Sequence, residues 1–328
     1  MNAGLPPITA DQLTSLAQLC KGTGDPLRLE ILRSLRTDSF GVMELCEIFD
    51  TKQPAMSHHL KVLAKAGAVT TRREGNSIFY RRMLADISIP QGQLLAALYS
   101  AIDQVALSDG TATRIDAIKQ EREEVAREFF DRHAEQFREQ QELIALFDQY
   151  AESVRDLLLQ TNPHKGHTAL EIGPGEGAFL STLADLFQQV TAIDISREML
   201  DKAETVRQQQ ALDNVQLLQA DTEDAVQQGI HVDRIVCNMV LHHVPSPADV
   251  FEDCAQLLNA DGALIVADLC RHDQDWAKQS CGDLWLGFDP EELTDWANDA
   301  GLVSTDSLYV GLRNGFQIQV RRFDKPNS

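Results

Sequence analysis

Ala169-Leu-Glu-Ile-Gly173-Pro-Gly175-Glu-Gly177-Ala-Phe179 is a short apolar run, a glycine turn, and the opening of a second apolar pattern. Its order predicts a strand, a tight loop and a helix. The glycines let the backbone turn sharply and approach a ligand closely. With Ala178 the stretch even satisfies the looser dinucleotide fingerprint, so its glycines alone do not choose a ligand. Charge does. A pyrophosphate wants backbone amides and no nearby carboxylates. Here Glu171 and Glu176 bracket the loop, and no Lys or Arg occurs from Gly166 to Ser196. That field suits a ligand with cationic groups.

Outward from the loop, strands are predicted at Thr168–Ile172, Val190–Ile193, Val215–Gln219, Asp233–Cys237, Ala263–Ala267, Val303–Val310 and Phe316–Phe323. Helical segments separate the first five, as a doubly wound parallel sheet requires. The short Gly311–Gly315 link between the last two cannot form a parallel crossover, which makes the final pair antiparallel. Acids recur where ligands of such sheets bind: Glu171, then Asp194 after the second strand, then Asp221-Thr222 after the third.

These features resemble a class I S-adenosylmethionine-dependent methyltransferase over residues 166–323, with a helical lead-in from about 121. The resemblance implies S-adenosylmethionine or S-adenosylhomocysteine as cofactor. It implies that Glu171, Gly173, Gly175 and Gly177 hold the methionine portion, and that Asp194 holds the ribose. Ile195 and Met199 would flank the adenine, Asp221 and Thr222 would meet its edge, and Asn238 would border the methionine end. The segment Arg127-Glu-Phe-Phe130-Asp131-Arg-His133-Ala resembles the part that closes over the cofactor, with Phe130 as a lid residue.

The amino-terminal region has a different grammar. Asp25-Pro26 is a helix start, an acid at the N-cap and proline at the first helical position. Leu27, Ile31 and Leu35 then share one face. A second helix is predicted from Val42 to Phe49, and a third from Pro54 to a closing Gly67. Strands at Ala68–Arg73 and Ser77–Arg82 flank the turn Glu74-Gly75-Asn76. Three helices and a hairpin is the order of a winged helix-turn-helix. In the third helix Met56, Leu60 and Leu63 face inward. Ser57, His58, Lys61 and Lys65 lie opposite, and His59 lies between the two faces. Short polar and basic side chains there can reach bases and phosphates in a major groove. Arg72 and Arg73 flank the hairpin tip, where they could grip phosphates.

Residues 25–82 resemble the ArsR family of winged-helix repressors, through Asp25-Pro-Leu-Arg-Leu-Glu-Ile-Leu, Glu44-Leu-Cys46, Gln53-Pro-Ala-Met-Ser-His-His-Leu-Lys-Val-Leu, Ala66-Gly-Ala-Val69 and the Gly75 wing. The resemblance implies a homodimer on a double-stranded, palindromic operator, read through Gln53, Ser57, His58, His59 and Lys61. Metal-sensing members carry a Cys-x-Cys pair where this chain has Cys46-Glu-Ile48, and no histidine lies between His59 and His133. A metal needs three or four close ligands, so no metal is expected.

Composition bounds the rest. The 328 residues carry 29 basic and 50 acidic groups, unevenly spread. Residues 1–90 hold 11 basic and 9 acidic groups, residues 91–165 hold 8 and 14, and residues 166–328 hold 10 and 27. Only the first segment has a charge compatible with a polyanion. Three domains are expected: a winged helix-turn-helix over 1–90, a helical dimerisation, linker and lid region over 91–160, and the cofactor domain over 161–328. The middle region shows two apolar stripes, Leu94, Leu95, Leu98, Ile102 and Val105, then Leu143, Phe147, Tyr150, Val154, Leu157 and Leu158. Simple packing explains both; a dimer helix is the sharper reading of the first. No apolar run approaches the ~20 residues of a membrane span, and no secretion signal is legible. The six cysteines are scattered without a CxxC pair. A cytoplasmic protein with no membrane partner is expected.

Methyl transfer is an in-line displacement for which a protein mainly supplies alignment. No signature nucleophile is visible. His242 and His243 follow the fourth strand, and one could act as a general base toward a small-molecule methyl acceptor. Packing of one and solvation of the other is the competing reading. Two functions follow: a transcriptional regulator that senses the adenosyl ligand, or an active small-molecule methyltransferase with a fused repressor module.

Overall fold

The computed structural model describes residues 10–74, 77–133, 137–160 and 167–327. The chain forms two compact units, 1–120 and 121–328. The helical region expected over 91–160 is divided between them. Gly75 and Asn76 of the expected hairpin turn lie outside the described residues. No described helix is long and apolar enough to cross a membrane.

The first unit runs α1 (Ala10–Thr23), α2 (Pro26–Ser34), β1 (Phe40–Gly41), α3 (Val42–Ile48), α4 (Gln53–Lys65), β2 (Val69–Glu74), β3 (Ser77–Arg82), α5 (Pro90–Asp103) and the start of α6 (Asp109–His133). Asp25 caps α2 as its sequence predicts, accepting from the Arg28 amide at 3.1 Å. The three strands pair antiparallel in the order β1-β3-β2. Leu19, Ile31, Leu45, Met56, Leu60 and Leu63 form the core, joined by Leu95 and Ile102 of α5 and by Ile115 and Ile118 of α6. The α5 stripe therefore splits: Leu95 and Ile102 are buried within this unit, whereas Leu94 and Val105 are exposed. Arg82 ties α5 to the hairpin, donating to both oxygens of Asp103 at 2.9 and 2.6 Å. Its guanidinium stacks over the Tyr99 ring.

The second unit continues with α7 (Phe137–Ile144), a 3-10 turn (Phe147–Gln149), α8 (Ala151–Leu159), β4 (Thr168–Ile172), α9 (Leu180–Leu186), β5 (Gln189–Asp194), α10 (Arg197–Gln209), β6 (Val215–Gln219) and α11 (Thr222–Gln227). Then come β7 (Val232–Asn238), a 3-10 turn (Leu241–His243), α12 (Pro247–Leu257), β8 (Leu258–Leu269), α13 (Trp276–Cys281), α14 (Pro290–Asp299), β9 (Val303–Gly311) and β10 (Gln317–Asp324). The sheet order is β6-β5-β4-β7-β8-β10-β9. The first five strands are parallel, and β10 runs antiparallel to both its neighbours. The expected Rossmann-like sheet with a reversed terminal hairpin is what forms. The stripe from Leu143 to Leu158 is not one helix: α7 ends at Ile144 and the 3-10 turn intervenes, leaving Leu143 exposed. Tyr150, Val154, Leu157 and Leu158 still reach the main core.

Strand order reverses between β4 and β7, so their carboxyl ends open a crevice between them. Glu171, Asn238 and Asp268 stand at or near those ends, on β4, β7 and β8.

Candidate functional site

The turn after β4 places Gly173, Gly175 and Gly177 at φ +63°, +56° and +85°. At Gly173 this is compulsory twice over. The backbone is left-handed, and a Cβ would stand 2.6 Å from Val240 Cγ2. The Gly173 amide donates to Ile193 O of β5 at 2.8 Å, which sets the depth of the crevice.

Glu171 lies on its floor, 2% exposed. Its Oε2 and both amide atoms of Asn238 have no hydrogen-bond partner. Burial raises the Glu171 carboxyl to about 8, with the adjacent Asn238 amide working the other way. Three buried polar atoms facing one crevice are complementary to a ligand that both donates and accepts. Tyr150, which the sequence offered only as an apolar stripe residue, is buried near Glu171 and Asp268, and its phenol is pushed up by burial and by those two charges.

Further along the edge, Asp194 accepts from the Ser196 amide at 2.9 Å, and burial lifts its carboxyl to about 6. Ser196 Oγ donates to Asp131 of α6 at 2.6 Å, a tether that sequence reasoning missed. Phe130 packs on Met199, the predicted adenine neighbour, and meets the His243 ring edge-on at 4.9 Å. Ile195 is half-buried beside them. Phe130, Asp194, Ile195 and Met199 are thus brought together.

Other predicted residues are engaged elsewhere. Asp221 caps α11, accepting from the Asp224 amide at 2.7 Å, and the Thr222 hydroxyl donates to Asp253 of α12 at 2.6 Å. Glu176 is not an uncompensated charge beside the loop: Lys202 of α10 reaches it at 2.7 Å. A lysine 26 residues downstream was invisible to a local count of charges.

His242 and His243 are both buried, 1% and 7% exposed, which rules out the expectation that one is solvated. His242 Nδ1 lies 2.8 Å from Asp268 Oδ1, and its Nε2 faces Asp283 Oδ1 at 3.9 Å. Burial opposes charge on this imidazole, but Asp268 and Asp283 outweigh it and hold the group up at about 9. His243 Nδ1 lies 3.2 Å from Gly282 O. A carbonyl can only accept, so Nδ1 carries the proton. Burial and the neighbouring His242 push His243 well below the usual histidine range. Asp268 and Asp283 were not singled out from sequence, because neither sits in a recognisable motif.

In the first unit, Gln53, Ser57, His58 and Lys61 are exposed on α4. His59 is half-buried and turned toward Asp25, 3.9 Å away. Arg72 contradicts its expected role. It is 3% exposed and ion-paired with buried Glu74, while Arg73 between them is exposed. Strand alternation sends Arg72 and Glu74 to one side of the hairpin and Arg73 to the other.

Comparison with known proteins agrees with both units. Residues 25–71 match the family model for bacterial regulatory proteins of the arsR family, and residues 163–301 match a methyltransferase-domain model. The chain therefore joins an ArsR-type helix-turn-helix to a methyltransferase domain. Ubiquinone biosynthesis O-methyltransferase of Coxiella burnetii (strain Dugway 5J108-111) is 29% identical over 170 residues, 47% of this chain and 72% of that protein. The enzyme of the same name from Xanthomonas axonopodis pv. citri is 28% identical over 172 residues, 48% and 72% of the two chains. Among solved structures, magnesium protoporphyrin IX methyltransferase of Synechocystis PCC 6803, with bound S-adenosylhomocysteine, superposes with a TM-score of 0.51 at 17% identity, covering 62% of this chain and 99% of that one.

Two outcomes follow. Arg72→Ala leaves the Glu74 carboxylate buried without its charged partner and should destabilise the first unit by about 3–5 kcal/mol, as measured by chemical denaturation. For Glu171, the unfolded carboxyl ionises near 4.5 and the folded one near 8. A raised folded value means stability is fully present below the lower figure and lost as pH rises toward the higher one. Thermal unfolding of the ligand-free protein should weaken across that window, and Glu171→Gln should flatten the slope.

Proposed function

We propose that this chain is a DNA-binding transcriptional regulator whose methyltransferase-type domain binds S-adenosylmethionine or S-adenosylhomocysteine, and that occupancy modulates operator binding, with methyl-cycle genes as targets. In this reading Glu171 and the Asn238 amide meet the ligand's methionine end, beside the glycine turn. Asp194 takes the ribose hydroxyls, while Ile195, Met199 and Phe130 enclose the adenine. Asp221 and Thr222 border the adenine edge through their backbone, since their side chains are engaged locally. The fit rests on the three partnerless polar atoms on the crevice floor and on the glycine turn that leaves room above them.

The observation that carries the regulatory part is α6. It is one unbroken helix of 25 residues. Ile115 and Ile118 near its start belong to the winged-helix core, while Phe130 and Asp131 near its end contact Met199 and Ser196. The same helix thus carries residues of the winged-helix core and, further along, residues beside the proposed adenosyl site. Exposed Gln53, Ser57, His58 and Lys61 supply the base and phosphate contacts on an operator bound by a homodimer.

The second reading, an active small-molecule methyltransferase carrying its own repressor module, is favoured by the O-methyltransferase relatives. Labelled S-adenosylmethionine incubated with a metabolite extract separates the two, since label in a small product would establish the enzyme.

Operator affinity measured with and without each adenosyl ligand should differ by a factor of about 5–150, or ~1–3 kcal/mol of coupling. If neither ligand shifts it, the regulatory reading fails. Asp131→Ala should reduce that shift when compared at saturating ligand, with adenosyl-ligand affinity measured in parallel by calorimetry. Lys61→Ala should weaken binding to all DNA sequences alike and lower the salt dependence by about one counterion.

A further inference from the structure

Behind Phe130 lies a polar cluster that an adenosyl ligand does not account for. His242 and His243 sit side by side on the turn after β7, their ring centroids 4.0 Å apart. Asp283 comes from the loop after α13, and its Oδ1 lies 3.9 Å from His242 Nε2 and 3.9 Å from His243 Nδ1. All three residues are buried, and one donor atom from each lies within 4.8 Å of the others. That is too far for hydrogen bonds. Two donors held ~2.0–2.2 Å from one ion stand roughly 3–4 Å apart, so the 3.9 Å between His242 Nε2 and Asp283 Oδ1 suits a shared cation, with His243 beside them.

The surroundings orient these donors. Asp268 Oδ1 takes the Nδ1 side of His242 at 2.8 Å, and Gly282 O takes the Nδ1 proton of His243 at 3.2 Å. Both rings therefore leave Nε2 as the remaining donor. This pairing of a ligand imidazole with a carboxylate or carbonyl on its other nitrogen is the usual outer shell of a metal site. His243 Nε2 is buried with no hydrogen-bond partner. The framework is also pinned. Leu284 and Trp285 amides both donate to His242 O, at 2.9 and 3.0 Å, and the Trp285 indole donates to Val244 O at 2.8 Å. The loop bearing Asp283 is thereby fastened to the turn bearing the histidines.

We propose that His242, His243 and Asp283 form a binding site for a divalent transition-metal ion, oriented by Asp268 and the Gly282 carbonyl. Two imidazoles and one carboxylate select zinc, cobalt, nickel, manganese or iron over calcium or magnesium. Three protein ligands would leave a coordination position open on the ion. An oxygen-bearing small molecule is the class that position would take. The site is distinct in sequence and place from the cysteine positions of metal-sensing repressors, so the expected absence of a sensor in the first unit is untouched by it.

The test is metal binding by the full chain, chelator-stripped and titrated with Co²⁺ and then Zn²⁺. One Co²⁺ per chain should bind, with visible ligand-field bands but no thiolate charge-transfer absorption, and Zn²⁺ should displace it. His243→Gln and Asp283→Asn should each weaken binding more than tenfold. Asp268→Asn, which keeps all three ligands, should weaken it by roughly 10–100-fold. Circular dichroism checks that each variant folds. Absence of saturable binding to the unmodified protein overturns the proposal, whatever the variants do. So does binding with thiolate bands, or binding that all three variants retain, because either puts the ion elsewhere. Operator and adenosyl-ligand binding are read separately, so failure here leaves the proposed function standing.

Discussion

Burial of carboxylates at the carboxyl edge of the sheet is the constraint around which the second unit is organised. Glu171, Asp268 and Asp283 are each no more than 2% exposed. An isolated buried charge is costly enough that the group neutralises or finds a partner. Asp268 does the second, facing His242 Nδ1 and accepting from the Leu269 amide at 2.7 Å. Glu171 does the first in the ligand-free protein, holding its proton to about pH 8. It is therefore poised: a cationic ligand would supply the partner that the fold withholds. The glycine turn and the Phe130 contact serve the same purpose, since they make the crevice close enough and dry enough for one carboxylate to matter.

The same rule operates in the first unit with the opposite result. Arg72 reads as a basic group available to a polyanion, but it is used internally, on Glu74, as Arg82 is on Asp103. The α4 face and Arg73 remain outward, as do Lys21 and Arg36.

Periodicity made the fold legible. Alternating strands and helices, an acid-proline helix start, and a final link too short for a crossover each reported local geometry, and the expected strands form within two residues of expectation, except that β8 begins five residues earlier, at Leu258; the two-residue β1 was not expected. The residues proposed for the cofactor were legible for a related reason, because Glu171, Asp194 and Asn238 sit at or next to strand ends and strand ends are visible in sequence. Long-range pairs were not. Nothing near Glu176 announces Lys202, and nothing near His242 announces Asp268 or Asp283, which a parallel sheet and the loop after α13 bring in from 26 and 41 residues away. The Arg72 misassignment was avoidable. Val69, Arg72 and Glu74 are buried and Arg73 exposed, an alternation of period two around a small irregularity at Thr70-Thr71. The apolar stripe across Leu143 to Leu158 misled in another way, since a helix, a 3-10 turn and a second helix can keep several apolar residues inward without being one helix.

A ligand shifts a conformational equilibrium only by its differential affinity for the two states. Contacts that form over the ligand are therefore the ones that matter, and here they converge on two adjacent residues. Phe130 touches Met199 and His243, and Asp131 holds Ser196, which in turn donates its amide to Asp194. Any ligand that alters the packing of Phe130 or the hydrogen bonding of Asp194 acts on the last turn of α6. In the proposed reading such a shift needs no methyl transfer, so a methyltransferase-type domain and a regulatory role are compatible in one chain.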